Sequence, residues 1–211
     1  MAIIAPTVLA GDAHDFQTQM NRIAGFAQRI QIDITDGLFA PIPTVALEQI
    51  WWPEGIRADL HLMLKDPAVQ LKDAIAQKPN MIIVHAEADG KFVRIADEIH
   101  KHNIKVGVAL LPKTSTHLLR SSLHLIDHVL IFSGDLGKFG GVADLGLIKK
   151  ITQLKEWKND LEIGWDGGIN DQNTPALVAG GVDVLNVGGF IQRSPDPKGA
   201  YEKLTELLTQ A

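Results

Sequence analysis

The sequence predicts a single-domain α/β protein, residues 1–211, of the (β/α)8 or TIM-barrel class. Eight short runs rich in Ile, Val and Leu alternate with longer stretches of helical periodicity, which implies parallel strands joined by crossovers. Eight such units in a chain of 211 residues leave no room for a second domain, so closure into a barrel is favoured. An open doubly wound sheet is the alternative. The predicted strands are Ile3–Val8, Arg29–Ile34, Ala58–Leu64, Met81–His85, Lys105–Leu110, His128–Phe132, Leu161–Trp165 and Val182–Val187.

The predicted helices lie between these runs. Asp15–Ala27 shows the pattern, because Phe16, Met20 and Ile23 recur on one face. Asp171 directly precedes the seventh helical stretch and is expected to be its N-cap. No G-x-G-x-x-G motif opens the first helix, which weakens a dinucleotide-binding interpretation. The other predicted stretches are Val45–Trp52, which is shorter, Asp66–Ala76, Phe92–His102, Thr116–Leu123, Leu145–Trp157, Gln172–Ala179 and Pro197–Thr209.

Composition excludes several functional classes. The formal net charge of -5 argues against general nucleic-acid binding, which requires a basic face. The chain has no cysteine, so disulfides, thiolate zinc sites and cysteine nucleophiles are excluded. The N-terminus does not have the pattern of a signal peptide, and no apolar run approaches the roughly 18 residues that span a bilayer. These features predict a soluble cytoplasmic protein without a membrane partner.

Three predicted strands carry polar residues where a barrel interior is normally apolar. Gln31, Asp33 and Thr35 share one face of the second strand, and the alternating isoleucines share the other. His61 on the third strand and Asp166 at the end of the seventh also oppose apolar neighbours. Each could be held by a local ion pair, but three polar residues converging at the C-terminal ends favour a functional site.

The positions of Asp33 and Asp166 predict a particular chemistry. Their strands are three positions apart around a closed ring of eight, so the two carboxylates reach a bound substrate from different sides. One can take a proton from one face of a carbon and the other can return a proton to the opposite face. The sequence therefore predicts a catalytic acid/base pair.

Glycines follow the last three predicted strands. Glycine lets backbone N–H groups approach an anion closely, and the loops after strands 7 and 8 of such barrels often bind phosphate. Turn glycines are the alternative explanation for any one pair. Lys138 could add positive charge to such a site. The glycines are Gly137, Gly140 and Gly141, then Gly167 and Gly168, then Gly188 and Gly189.

Six motifs together resemble the ribulose-phosphate 3-epimerase family, and their order and spacing match along nearly the whole chain. Each motif alone is weak, but the set is specific within barrel proteins. The motifs are Ile4–Leu9 (IAPTVL), Asp33–Gly37 (DITDG), Leu60–Met63 (LHLM), Val84–Glu87 (VHAE), Phe139–Gly141 (FGG) and Trp165–Ile169 (WDGGI).

The resemblance implies epimerisation at C3 of a ketopentose 5-phosphate through a cis-enediolate, in a protein that forms homo-oligomers. Asp33 and Asp166 match the family's acid/base carboxylates, which also ligate a divalent metal ion (Zn, Fe, Mn or Mg) together with His61. Met63 matches a methionine that lines the site and Thr7 a serine of the first strand. The resemblance assigns phosphate binding to Gly140, Gly141, Gly167, Gly168, Gly188 and Gly189.

Several positions depart from the family pattern. Gln31 stands where the family has its first metal-binding histidine, and an amide oxygen is a poorer ligand than imidazole for zinc or iron but is tolerated by magnesium or manganese. Thr35 and Phe132 each replace a methionine. The loop of residues 133–141 replaces the usual Asn-Pro and holds one extra residue. These changes bear on the metal ion and on the natural substrate.

Three functions stay open on sequence grounds. The first is the epimerase, acting on a pentulose or a hexulose phosphate. The second is a sugar-phosphate lyase of similar barrel shape, which the absence of an inward lysine beside Asp33 and His61 disfavours. The third is a non-catalytic sugar-phosphate binding protein. His85 and Glu87 end the fourth strand and could contact substrate, although a structural role is favoured.

Overall fold

The computed structural model describes residues 2–209, in which eight parallel strands close a barrel in chain order, with β8 pairing to β1. The (β/α)8 prediction is therefore confirmed and the open sheet is wrong. Four predicted strands keep their bounds, and the other four move by one or two residues at one or both ends. The strands are β1 Ile3–Val8, β2 Arg29–Thr35, β3 Arg57–Met63, β4 Met81–His85, β5 Lys105–Leu110, β6 His128–Phe132, β7 Glu162–Asp166 and β8 Val184–Val187.

Helices cover the outside of the barrel, although two predicted stretches contain only 3-10 turns. Val45–Trp52 forms a turn at Leu47–Gln49, and Thr116–Leu123 is replaced by turns at Thr116–Leu119 and Leu123–Leu125. The short helix α6 directly after β8 was not predicted. The helices are α1 Ala13–Ile23, α2 Leu71–Ala76, α3 Phe92–Lys101, α4 Ile148–Trp157, α5 Thr174–Ala179, α6 Gly189–Gln192 and α7 Pro197–Leu207, with further 3-10 turns at Pro67–Val69 and Leu145–Leu147.

The prediction that Asp171 caps the helix after β7 is wrong. Helix α5 begins at Thr174, and the side-chain oxygen of Asn170 accepts the backbone N–H of Gln172 at 2.9 Å. The Asp171 carboxylate instead forms an ion pair with Lys203 of α7. An acidic residue near a helix start is therefore free to bind a cation when a neighbouring asparagine already binds the loop's N–H groups.

The strand residues divide between two environments, as alternation requires. Ile32, Leu60 and Trp165 point outward and are buried under the helices. Inside the barrel, Met81, Ile83, Ala109 and Leu130 form a separate apolar cluster at mid-height. Polar residues occupy the interior above and below this cluster. It therefore separates a polar group at the C-terminal mouth from another at the N-terminal end.

The lower polar group is an ion network that closes the N-terminal end. Arg29 donates from Nε to Asp59 at 2.6 Å and from its two terminal nitrogens to Glu162 at 2.9 and 2.8 Å. His128 Nδ1 lies 2.7 Å from Glu162, and Asn80 donates to Asp59 at 2.6 Å. These groups lie at the starts of strands, on the face that such barrels use for stability and not for chemistry.

None of the helices within residues 2–209 combines the length and the apolar character that a membrane crossing requires.

Candidate active site

A cavity of about 200 Å³ opens at the C-terminal ends of the strands. The structure brings nearly all of the predicted site residues to its lining. His61 and Gln31 are the exceptions, since both lie behind the lining and are fully buried. The predicted residues that line the cavity are Thr7, Asp33, Met63, Asp166, Gly140, Gly141, Gly167, Gly168, Gly188 and Gly189.

Asp33, His61 and Asp166 converge at the floor of the cavity. Strand pairing places Asp33 beside His61, and His61 Nδ1 lies 2.9 Å from Asp33 Oδ1 and 3.8 Å from Asp166 Oδ2. One ligand atom from each of the three residues lies within 4.8 Å of the others. Two carboxylates and one imidazole are a donor set that divalent metal ions accept, and three protein ligands leave a coordination position open to substrate. The residues therefore fit a divalent metal ion.

Gln31 links the two carboxylates directly. Its amide nitrogen donates to Asp33 Oδ1 at 2.9 Å and to Asp166 Oδ2 at 2.6 Å. Its oxygen Oε1 is buried and has no hydrogen-bond partner among the residues that the structure describes. The side chain that departs from the family's histidine thus lies within reach of the carboxylates that match the metal ligands.

The environment of Asp166 favours a carboxyl group that keeps its proton. Burial, together with the nearby Asp33 carboxylate, raises the pKa of Asp166 to about 7, while His61 and the amide of Gln31 act in the opposite direction. Two carboxylates this close cannot both ionise readily, so the pair tends to share one proton. Such a pair offers one acid and one base at neutral pH.

His85 extends the polar group beyond what the sequence predicted. Its Nε2 lies 2.9 Å from His61 Nε2, and its Nδ1 lies 3.3 Å from the Glu87 carboxylate. Burial lowers the pKa of His85 to about 4, which keeps the ring neutral. Glu87 also accepts the backbone N–H of Leu111 at 2.9 Å. Both ring nitrogens of His85 therefore have partners, as a structural role requires, and these contacts orient His61.

The glycines of the cavity have two different surroundings. A Cβ on Gly167 would lie 2.1 Å from the backbone nitrogen of Gly134, so the packing of neighbouring loops already requires this glycine. A Cβ on Gly140 would meet nothing closer than Arg193, at 3.9 Å. The open surroundings of Gly140 leave room for an anion, whereas packing between loops alone explains the glycine at position 167.

Two cations lie at this end of the cavity. Lys138, noted in the sequence, and Arg193, which was not, both line it, and Arg193 donates to the carbonyl of Phe139 at 3.3 Å. Arg193 directly follows α6, the short helix that the sequence did not predict. A helix of one turn has too little periodicity to be recognised, so no sequence pattern indicated this arginine.

The other departures from the family pattern lie around the rim. The Thr35 hydroxyl donates to the Ile42 carbonyl, and the Thr35 N–H donates to Thr44 at 2.9 Å, so Thr35 fixes the loop after β2. Phe132 lines the cavity and packs against His61 at a centroid distance of 6.0 Å. Neither residue disturbs the carboxylates.

A closed parallel barrel with two carboxylates and an imidazole in its C-terminal mouth defines the class of the protein: it is a (β/α)8-barrel enzyme. Residues 3–191 match the sequence model of the ribulose-phosphate 3 epimerase family, and the chain belongs to that family. The resemblance seen in the six motifs is thereby confirmed.

Relatives agree with this assignment, and a solved structure agrees with the fold. The chain is 30% identical to a ribulose-phosphate 3-epimerase of Aquifex aeolicus, over 100% of this chain and 99% of that protein. It is also 30% identical to a ribulose-phosphate 3-epimerase of Helicobacter pylori, with 95% of each chain covered. A 3-keto-L-gulonate-6-phosphate decarboxylase from Vibrio cholerae has a TM-score of 0.76 at 11% identity, covering 99% of this chain and 98% of its own. That likeness shows the fold alone.

Proposed function

We propose that the protein is an isomerase that inverts C3 of a ketopentose 5-phosphate, converting D-ribulose 5-phosphate to D-xylulose 5-phosphate. The observation that carries this proposal is the pair of carboxylates, Asp33 and Asp166, joined through one amide at the floor of a cavity that ends in glycine loops. The curated relatives of full length are ribulose-phosphate 3-epimerases, which supports the same reaction.

The reaction requires one ionised and one protonated carboxyl group. The ionised carboxylate removes the C3 proton, the electron pair of the C–H bond forms the enediolate, and the protonated partner delivers a proton to the opposite face of C3. Asp33 and Asp166 exchange roles in the reverse direction. In the absence of a bound cation, the raised pKa of Asp166 keeps one proton on the pair at neutral pH, which suits this division.

A divalent metal ion would be held by Asp33, His61 and Asp166. The oxygen of Gln31 would be a fourth donor if the side-chain amide rotates so that its oxygen and nitrogen exchange places. A bound cation polarises the substrate carbonyl and stabilises negative charge on its oxygen. Since an amide oxygen suits hard cations better than zinc or iron, we propose magnesium or manganese ahead of those two. The two carboxylates and His61 lie close enough together to bind any of these four metal ions.

The phosphate of the substrate is assigned to the glycine end of the cavity. A Cβ would meet nothing closer than 3.9 Å at Gly140 and 3.5 Å at Gly189, so these two glycines are not required by packing. Lys138 and Arg193 bring positive charge to the same end. Gly141, Gly167, Gly168 and Gly188 complete the loops there, and Thr7, Met63 and the buried His61 form the walls and floor around the sugar. This arrangement holds the phosphate at one end and the reacting carbon at the other.

Proton exchange at C3 tests the function. We expect the protein to exchange the C3 proton of D-ribulose 5-phosphate with deuterium from the solvent while xylulose 5-phosphate accumulates, both measured by NMR. Release of a smaller product would indicate a lyase, and binding without exchange would indicate a sensor, so either result would contradict the proposal. The homo-oligomer and the cytoplasmic location that the sequence suggested stay predictions.

Gln31→His is expected to tighten transition-metal binding by at least about tenfold, because imidazole is the better ligand for zinc. Calorimetric titration of the purified protein with Zn²⁺ and with Mn²⁺ measures this without any turnover. The control is Gln172→His, which adds the same imidazole at an exposed position. Equal zinc affinity in wild type and Gln31→His would mean that residue 31 lies outside the coordination sphere.

A further inference from the structure

Asn186 is a polar residue inside the barrel that neither the motifs nor the acid/base chemistry uses. It lies on β8, where strand pairing sets it beside Asp166 of β7 and Ala5 of β1. It is only 3% exposed, and it lines the same cavity as the carboxylates. At this height of the barrel the interior of an ordinary strand would be apolar. An amide at this position therefore needs an explanation.

The amide nitrogen of Asn186 is buried and has no hydrogen-bond partner within residues 2–209. Other buried amide nitrogens in the barrel are satisfied: Gln192 donates to the Thr7 carbonyl at 3.0 Å, and Gln31 donates to both carboxylates. An unpaired buried N–H group lowers the stability of a fold. Because Asn186 lines the cavity, a ligand bound there can supply the missing partner once the carboxamide turns toward it.

The position of Asn186 identifies the part of the ligand that it meets. Asp166, at the end where the proton moves, lies in register beside it, and Gly188, at the glycine end, follows two residues later on the same strand. A substrate that spans these two ends places the carbon between the reacting carbon and the phosphate-bearing carbon opposite Asn186. In a ketopentose 5-phosphate that reacts at C3, the group between the reacting carbon and the phosphate-bearing carbon is the C4 hydroxyl.

We propose that the carboxamide of Asn186 binds the C4 hydroxyl of the sugar phosphate and thereby determines specificity for substrates that carry it. This inference rests on the function proposed above. A carboxamide offers both a donor and an acceptor, as a hydroxyl does, so the two groups match. A site built to bond a hydroxyl discriminates strongly against an analogue that lacks it, since the protein group is then left unpaired.

The test compares the wild-type protein and one variant on two substrates. Wild type and Asn186→Leu, which keeps the number and branching of the side-chain heavy atoms, are assayed with D-ribulose 5-phosphate and with its 4-deoxy analogue. We expect wild type to lose about tenfold or more in kcat/KM on the analogue. Asn186→Leu is expected to lose a similar factor on the natural sugar and to treat both substrates alike within about twofold.

Thermal unfolding separates this role from a structural one. Removing an unpaired buried amide should leave the Tm of the free protein unchanged or raise it, whereas loss of a structural hydrogen bond would lower it. Asn186→Val, whose β-branched side chain suits a strand, repeats the measurement in case leucine does not fit. Gln192→Leu is the matched control, because it removes a buried carboxamide outside the cavity lining. It should lower kcat/KM by the same factor on both substrates.

The outcomes distinguish failure of the role proposed for Asn186 from failure of the proposed function. If wild type turns over ribulose 5-phosphate but is indifferent to the C4 hydroxyl, or if Asn186→Leu retains wild-type discrimination, the role of Asn186 is refuted and the epimerase stands. If wild type neither exchanges nor epimerises the sugar, the proposed function fails and this inference fails with it.

Discussion

Asp33→Asn and Asp166→Asn are each expected to lower the rate of C3 proton exchange by a factor of about 10²–10⁴, the range typical for loss of a positioned acid or base. Asparagine has nearly the shape of aspartate and can still accept the amide N–H of Gln31, which donates to both carboxylates. The packing of the cavity floor should therefore survive while the proton transfer is lost. Exchange into D2O and coupled epimerase assays measure the effect.

Controls separate chemistry from binding and folding. Asp160→Asn neutralises an exposed aspartate just before β7, at the opposite end of the barrel, and should keep wild-type turnover. Both active-site variants should still bind a ketose phosphate, since the glycine loops and the two cations that line their end of the cavity are unchanged. Near-normal turnover in either Asp33→Asn or Asp166→Asn would mean that the two-carboxylate mechanism is wrong.

Alternation along the strands explains why this site could be predicted at all. In a strand buried on both sides, an ionisable residue among isoleucines and leucines must point inward or outward, and the apolar set identifies the helix-facing side. Asp33 and His61 were placed inside by that argument, and strand pairing sets them side by side. The fold followed similarly from repetition, since eight strand and helix units allow few other topologies.

The contacts that complete the site could not be predicted, because they join residues far apart in sequence. The amide of Gln31 reaches Asp166 over a separation of 135 residues, and which of its two ends faces the carboxylates depends on strand register and rotamer. The contact between His61 and His85 has the same origin. In the predicted strand Val182–Val187 each face carries one polar residue, Asp183 or Asn186, among apolar ones, so alternation does not assign a face to Asn186.

Arg29→Met is expected to lower the free energy of unfolding by about 3–5 kcal/mol, because it leaves buried carboxylates without their cation. Arg29 is bonded to Asp59 at 2.6 Å and to Glu162 at 2.8 Å, and the Arg29 and Asp59 side chains are only 3% and 2% exposed. Methionine fills most of the volume but supplies no donor. Urea or guanidinium unfolding measures the loss, and Arg57→Met, an exposed arginine on β3, should change stability by less than about 0.5 kcal/mol.

The pH dependence of that loss identifies its electrostatic origin. Burial alone would raise the pKa of Glu162, but hydrogen bonds from His128 and Arg29 lower it. The ion pair between Arg29 and Glu162 therefore stabilises the wild type at pH values above the ordinary pKa of glutamate. Without Arg29, Glu162 keeps only its contact with His128. The pKa of the buried Asp59, which burial already raises in the wild type, rises further when its cation is removed. The stability difference between wild type and Arg29→Met should therefore be largest above the ordinary pKa of glutamate and should shrink as the pH falls below it. A difference independent of pH would mean that lost packing, and not an orphaned charge, causes the destabilisation.

Since this network lies at the end of the barrel away from Asp33 and Asp166, the folded fraction of Arg29→Met should keep its turnover number. That result would separate the part of the barrel that stabilises the fold from the part that carries the chemistry.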